Sequence, residues 1–465
     1  MPSGEKLRLQ VDGKFFRAGK KRVFLKMVTY GPFPDPTPEV LTNHHQQMAL
    51  IADAGFNALR VYEAPEKDLL NAAQEAGLWV FVGLSWDYHR DFISNGTVYA
   101  AAEVLMAESL ESWGNHPAVA GVFVANEIPS DMVRWMGVTQ VKQALEGLIS
   151  LGRSICPQLL FAYANYPTTE YEEPDNADFT AMNVYLESRE DFASYLPRLH
   201  NVAGDRPVLL SEFGFDTYRA SLEIQSETLL WYVDESLRVG VAGLTVYAWS
   251  DHWSRGGSAI DDWSFGLYDR HGVAKPALTP LRQKLLGIDS PDDGIELAEA
   301  PAFSVIVCTH NGAERIVSCL EALSDLDYPS YEVLVVDDGS TDNTLELIQR
   351  FEGVRVIHSE HVGLSAARNL GAKQAHGEII AYTDDDCEPD SHWLRWLAHA
   401  FESKGWDACG GPNLPPSPKV SRDGGASVID EIVVASAPGA PSHVLFSDDE
   451  AEHLPGCNLA VRKKV

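Results

Sequence analysis

Gly121-Val-Phe-Val-Ala-Asn-Glu-Ile-Pro-Ser130 decides how the first part of the chain is read. The apolar run Val122 to Ala125 is too short for a core helix and shows no alternation, so it reads as a strand buried on both faces. Asn126-Glu127 follows at once, and a buried strand has no structural use for two such polar groups. Where parallel strands close into a barrel, reacting side chains gather at their C-terminal ends. Pro207-Val-Leu-Leu-Ser211 has the same shape and runs into Glu212-Phe-Gly214. Singly, each glutamate also fits a solvated strand end. Placed alike on two strands, they point to paired-carboxyl chemistry.

Outward from these two strands, strand-like and helix-like segments alternate, the pattern of a β/α barrel. The expected strands are Val23–Tyr30, Asn57–Tyr62, Trp79–Leu84, Val119–Ala125, Leu159–Ala164, Phe179–Val184, Pro207–Ser211 and Gly243–Trp249. Amphipathic segments lie between them: Glu39–Ala54, Ala101–Trp113, Val141–Ile155 and Glu223–Val239. The acidic connection from Glu170 to Asp178 supports no full helix. Ahead of the barrel, Leu7 to Val23 alternates around Asp12-Gly13 and Ala18-Gly19, which reads as a hairpin plugging the barrel floor.

Polar groups recur at the strand ends: Arg60, Asn126-Glu127, Asn183 with Tyr185, Glu212 and Trp249. With Phe24-Leu25-Lys26, Tyr30-Gly31, Asn57-Ala-Leu-Arg60, Glu212-Phe-Gly214 and Phe265-Gly-Leu-Tyr-Asp-Arg-His-Gly272, residues 7–287 resemble the retaining glycoside hydrolases of the clan of families 2 and 5. The resemblance implies a TIM barrel with Glu127 as acid/base and Glu212 as nucleophile. A retaining mechanism sets such carboxyls about 5–5.5 Å apart. It further implies that Asn126 contacts the sugar 2-hydroxyl, that Arg60 and Tyr185 keep Glu212 ionised, and that Trp249 faces a sugar ring, extended by Trp86 and Trp253. Core packing remains open for each aromatic, and pairing with any buried carboxylate for Arg60. His89 and His252 read as solvated loop histidines. No cofactor is expected in the barrel.

After Leu286, Asp289-Ser-Pro-Asp-Asp-Gly294 and the stretch to Pro301 are acidic and turn-rich, a linker spanning 288–302 between domains 1–287 and 303–465. Beyond it, Phe303–Cys308, Tyr331–Val336, Val354–His358 and Glu378–Tyr382 read as strands alternating with helices, a doubly wound, Rossmann-like sheet. Asp337-Asp-Gly-Ser340 and Thr383-Asp-Asp-Asp386 stand at strand ends, where carboxylates repel unless a cation neutralises them. Hard oxygen donors suit Mg²⁺ or Mn²⁺.

Ser304-Val-Ile-Val307 with Asn311, Val336-Asp-Asp-Gly-Ser340, Gly363-Leu-Ser-Ala-Ala-Arg-Asn369, Asp384-Asp-Asp386 with Pro389, and Gly456-Cys-Asn458 resemble the family 2 glycosyltransferases of GT-A fold. The resemblance implies a nucleotide-sugar donor (UDP- or GDP-linked) and an oligo- or polysaccharide. Asp337 and Asp338 would contact base or ribose, Arg368 the phosphates, and Asp384 with Asp386 the divalent metal and sugar diphosphate. Family members continue past Gly-Cys-Asn to an acidic general base, whereas this sequence stops seven residues after Asn458. On these residues alone, the expectation is donor binding with poor transfer. Pro412 to Pro441 reads as an acceptor-facing loop.

The chain carries 67 acidic and 36 basic residues, net −31. That argues against a nucleic-acid or anionic-membrane surface. Six scattered cysteines, no apolar run of membrane-spanning length and no leader-like start lead to the expectation of a cytoplasmic protein. The two functional expectations are an active barrel beside a transferase, or a transferase with a non-catalytic, glycan-holding barrel.

Overall fold

The computed structural model describes residues 7–19, 21–288, 297, 300–404, 407–411 and 456–463. The chain divides into two compact units, Met1–Pro291 and Asp292–Val465. Most of the expected linker and all of the Pro412 to Pro441 loop lie outside the described residues.

The first unit opens with an antiparallel meander, β1 (Leu9–Asp12), β2 (Phe15–Ala18) and β3 (Lys21–Val23). The expected hairpin is therefore three strands, because the second turn, at Ala18-Gly19, returns the chain once more before the barrel begins. Eight parallel strands follow: β4 (Leu25–Thr29), β5 (Ala58–Val61), β6 (Trp79–Gly83), β7 (Val119–Asn126), β8 (Leu160–Asn165), β9 (Thr180–Asn183), β10 (Val208–Phe213) and β11 (Gly243–Val246). They close into a barrel through β11 pairing with β4. A small hairpin, β12 (Ser254–Arg255) with β13 (Ser258–Ala259), hangs on the loop after β11. The connection between β8 and β9 holds only the 3₁₀ turn Glu170–Glu172.

Local chemistry explains the helix starts. Asn43, Asn95 and Ser221 accept backbone N–H groups at the N-termini of helices His44–Asp53, Gly96–Trp113 and Leu222–Val239, replacing the bonds that a first turn lacks. Gly240 ends the last of these at φ +78°, which suits a residue without Cβ.

Two apolar layers build the unit. One lies between strands and helices, with Val122, Val124, Leu145 and Ile149. The other fills the barrel interior with Leu9, Phe16, Phe81, Phe123 and Phe179. Phe16 thus enters the barrel from the meander, its ring 5.4 Å from that of Phe179, which lies 6.0 Å from Phe123.

The second unit is a six-stranded mixed sheet: β14 (Phe303–Thr309), β15 (Tyr331–Asp337), β16 (Val354–His358), β17 (Ile379–Asp384), β18 (Ala408–Gly410) and β19 (Leu459–Arg462). The spatial order is β16-β15-β14-β17-β19-β18. The first four are mutually parallel, and β19 runs antiparallel to both β17 and β18. Val305, Val307, Val333 and Val335 face one apolar layer while Ile306, Leu334 and Val336 face another. Helices on both faces make this a Rossmann-like sheet.

Candidate functional site

β7 ends the barrel wall with Asn126, and β10 carries Glu212 inside its last turn of strand. Both strands slip register at this mouth. β7 loses its step with β8 between Phe123 and Asn126, and β10 with β9 between Leu210 and Glu212. Such irregularities re-aim side chains beside a site. Gly214 completes the local geometry: a Cβ there would lie 2.2 Å from the Tyr247 carbonyl oxygen.

Arg60, fully buried at the end of β5, joins the two carboxyl groups into one network. Its Nη1 is 2.9 Å from Glu212 Oε1 and donates to Asn183 Oδ1 and the Ser211 carbonyl at 3.1 and 2.8 Å. Its Nη2 donates to Asn126 Oδ1 at 2.7 Å. The guanidinium stacks between the rings of Tyr62 and Phe123, 4.6 and 4.5 Å from their centroids. Two phenols complete the grip on Glu212: Tyr62 donates to Oε1 at 2.7 Å and Tyr185 to Oε2 at 2.8 Å. One cation and two hydroxyls thus meet this buried carboxyl.

Glu127 stands in the opposite environment. Its sole side-chain donor among the described residues is Asn183 Nδ2, at 2.8 Å. Burial first, and then the neighbouring Glu212 charge, push its pKa up to about 7, against the smaller opposing pulls of Asn183 and Arg60. Asn183 spans the pair, donating to Glu127 and Asn126 while accepting from Arg60 and Ser211. Asn126 Nδ2 has no protein partner among the described residues.

Arg60, Asn126, Glu127, Tyr185 and Glu212 are therefore brought together, and Trp249 is not among them. It is 1% exposed, its indole N–H donates to Gln47 Oε1 at 2.7 Å, and its ring packs on Phe56 and Tyr268. This corrects the expectation of a sugar platform: the strand stops at Val246, and the Trp249 side chain packs into the layer between strands and helices. The aromatic wall there is instead Tyr62, Tyr185, Tyr247, Trp253 and Phe265. Trp86 is anchored by its indole N–H on the Val124 carbonyl at 2.8 Å. A cavity of about 350 Å³ opens between the loops after β4 and β5, lined by Tyr30, Phe33, His44, Tyr62 and Glu66 among others. It shares only Tyr62 with the carboxyl network.

In the second unit the acidic groups divide by direction. Asp338, 4% exposed, is taken up by the protein: the amides of Val362 and Gly363 donate at 2.7 and 2.8 Å, with the Ser359 hydroxyl beside them. Burial works against its charge, but these donors outweigh it and hold the carboxyl below its ordinary range. Its oxygens thus shape the 359–363 turn. Asp337, 2% exposed, accepts from the Ser340 amide and lies 3.5 Å from His358 Nδ1. Asp385 also turns inward, to the Thr309 hydroxyl at 2.6 Å and Arg315 at 3.3 Å. Asp384 pairs with Arg368 at 2.8 Å, which also donates to the Gly456 carbonyl at 3.1 Å. Asp386 is exposed. His310 and His361, stacked 4.3 Å apart with Nδ1 of each near the Asp338 carbonyl, had no distinguishing sequence signal.

Among the described residues no group of three or more His, Cys, Asp or Glu side chains is arranged to hold a metal. Asp384 and Asp386, two residues apart with Asp385 turned the other way, offer hard oxygen donors of the kind Mg²⁺ or Mn²⁺ takes. Remaining ligands would come from a diphosphate and water. No described helix is long and apolar enough to cross a membrane.

Residues 304–462 match the family described as Glycosyl transferase family 2. The second unit is a family 2 glycosyltransferase domain. Similar proteins include glycosyltransferase AglE of Haloferax volcanii, 41% identical over 118 residues, covering 24% of this chain and 39% of that protein. The putative glycosyltransferase EpsH of Bacillus subtilis is 38% identical over 98 residues, covering 20% and 28%. In fold, the chain is similar to the β-glucuronidase of Bifidobacterium dentium, with TM-score 0.52, 18% identity, and 61% of this chain and 50% of that one covered. A family 2 β-galacturonidase of Eisenbergiella tayi gives TM-score 0.51 at 17% identity, covering 61% and 54%. The chain thus spans under two-fifths of these curated relatives and about half of these solved structures. It joins a barrel similar in fold to these glycosidases to a family 2 transferase domain.

Proposed function

We propose that the barrel is a retaining β-glycosidase or transglycosidase, and that the second unit binds a nucleotide-sugar donor for polysaccharide or glycoconjugate synthesis. The observation that carries the barrel reading is the opposed environment of two carboxyls on one Arg60–Asn183 network. Glu212, held by Arg60, Tyr62 and Tyr185, attacks the anomeric carbon. Glu127, its pKa pushed up to about 7, still carries a proton near neutrality and delivers it to the leaving oxygen. After departure, Glu127 takes a proton from water, or from a sugar hydroxyl in transglycosylation, which attacks the glycosyl ester on Glu212. The free Asn126 Nδ2 is placed to meet the sugar 2-hydroxyl.

In the second unit, Asp384 and Asp386 would hold the divalent cation, whose charge offsets that of the departing diphosphate. Arg368, tied to Asp384, orients that carboxylate, and Asp337 and Asp338 would contact the base or ribose.

The deciding experiment follows hydrolysis of aryl β-glycosides by NMR. Retention predicts that the β-anomer of the released sugar appears first. First appearance of the α-anomer overturns the double displacement. A wild-type protein that binds a glycan but turns over no glycoside makes the barrel a holding module instead.

A further inference from the structure

Glu127 has φ +48°, in the left-handed region that residues with a Cβ adopt only when their surroundings over-determine it. The peptides that follow are caught by the neighbouring strand. The Ile128 N–H donates to the Tyr163 hydroxyl at 2.9 Å, and the Ser130 N–H to the Tyr166 hydroxyl at 3.0 Å. The Tyr163 hydrogen goes on to Glu172 Oε2, 3.2 Å away on the 3₁₀ turn after β8. Tyr163 and Glu172 are both 0% exposed. Glu172 Oε1 is buried with no hydrogen-bond partner among the described residues. A buried carboxyl with one hydrogen bond is costly and goes unexplained by packing.

We propose that Tyr163 and Glu172 are positioning residues for Glu127, holding the Ile128 amide so that Glu127 stays in its left-handed conformation with its carboxyl on Asn183. The inference rests on the acid/base reading of Glu127. Glu172 takes the phenolic hydrogen, which leaves the Tyr163 oxygen free to accept from Ile128. Without that oxygen the Ile128 amide loses its partner in a buried place, the backbone relaxes, and the Glu127 carboxyl swings from the position at which it protonates the leaving group. Attack by Glu212 is untouched.

The test uses the full chain carrying Tyr163→Phe, Glu172→Leu or Glu172→Gln. It reads kcat/KM over aryl β-glycosides of graded leaving group, and the ¹³C titration of the Glu127 carboxyl, assigned with Glu127→Gln. Tyr163→Phe and Glu172→Leu are expected to slow poor leaving groups about tenfold or more, as a misplaced acid does, while activated ones change little. The Glu127 titration should move with them. Glu172→Gln, which keeps an acceptor oxygen, should restore both readouts. If Tyr163→Phe does not fold, the two Glu172 variants carry the comparison. Folded variants with an unchanged leaving-group series and an unmoved titration overturn the inference while leaving the acid/base reading intact. A wild type inert toward every glycoside overturns that reading, and the titration alone then decides whether Tyr163 and Glu172 set the place of Glu127.

Discussion

Glu212 in the barrel and Asp386 in the second unit both belong to the C-terminal edge of a parallel sheet, yet their charges are met in different ways. Glu212 is answered from within, by Arg60, Tyr62 and Tyr185. Asp386 is exposed, while its neighbours Asp384 and Asp385 take Arg368 and Arg315. Two carboxyls held in unlike surroundings need fixed protein partners. A site whose ligand brings its own anion and cation needs carboxylates that wait. The contrast teaches that acidic strand ends alone do not reveal the chemistry; their partners do.

The largest expected effect tests the internal answer. Glu212→Gln should lower turnover of an activated aryl β-glycoside by roughly 10⁴-fold, the scale of losing a nucleophile, with glycan affinity by calorimetry nearly unchanged. Glu127→Ala should lower kcat/KM for poor leaving groups by about 10²–10⁴-fold and for activated ones little. In wild type, the rate on poor leaving groups should fall on the alkaline side as Glu127 loses its proton near pH 7. A pH–rate profile checks that limb, and Glu127→Ala should erase it.

The waiting carboxylates are tested next. Asp386→Ala should weaken UDP or GDP binding in the presence of Mn²⁺ by about tenfold or more, one step of about 1.4 kcal/mol, and leave metal-free binding as it was. Asp338→Asn should cost the second unit about 1–3 kcal/mol in urea unfolding, because an amide cannot accept from all the donors gathered there. Equal effects of the two substitutions on nucleotide affinity would erase the distinction between inward and outward aspartates.

The smallest effect is on stability with pH. Glu127, Glu172 and Glu173 are each pushed up to about 7, burial being the leading cause. A carboxyl whose folded pKa lies above its unfolded one binds more protons when folded. Its stabilisation is full below the unfolded value and lost as pH rises through the folded one. The melting temperature of the barrel should therefore rise by a few degrees from pH 8 to pH 6. His200, half-buried and pulled down to about 4, opposes the trend as pH falls below about 6.5, where the unfolded imidazole takes a proton that the folded one does not. Calorimetric scans check both windows.

The alternation of strands and helices was legible because each barrel strand is an unbroken apolar run ending in a polar residue. Glu127, Glu212, Arg60 and Asn183 were legible for the same reason. Tyr62 and Tyr247 were not: each stands just past its strand, and only the closed barrel sets Tyr62 on Glu212 from the opposite wall, while Tyr247 follows from the pairing of β10 with β11. Trp249 misled because the apolar run from Gly243 continues past the true end of the strand at Val246. In Asp337-Asp338 the sequence shows two acids but not which way each turns, since that depends on the Ser359 to Gly363 turn folding back from a later strand. The register slips in β7 and β10 leave no trace in residue type.

The meander ahead of the barrel has an electrical consequence. Phe16 meets Phe179, Phe179 meets Phe123, and Phe123 lies under the Arg60 guanidinium. This column of rings is an insulator between the floor of the barrel and the cation that governs its mouth. Water admitted from below would screen Arg60, because the effective dielectric between charges sets how strongly one stabilises another. Residues 9–23 thus close the barrel beneath Arg60 without touching it, and a barrel trimmed to its eight β/α units would leave that column open from below.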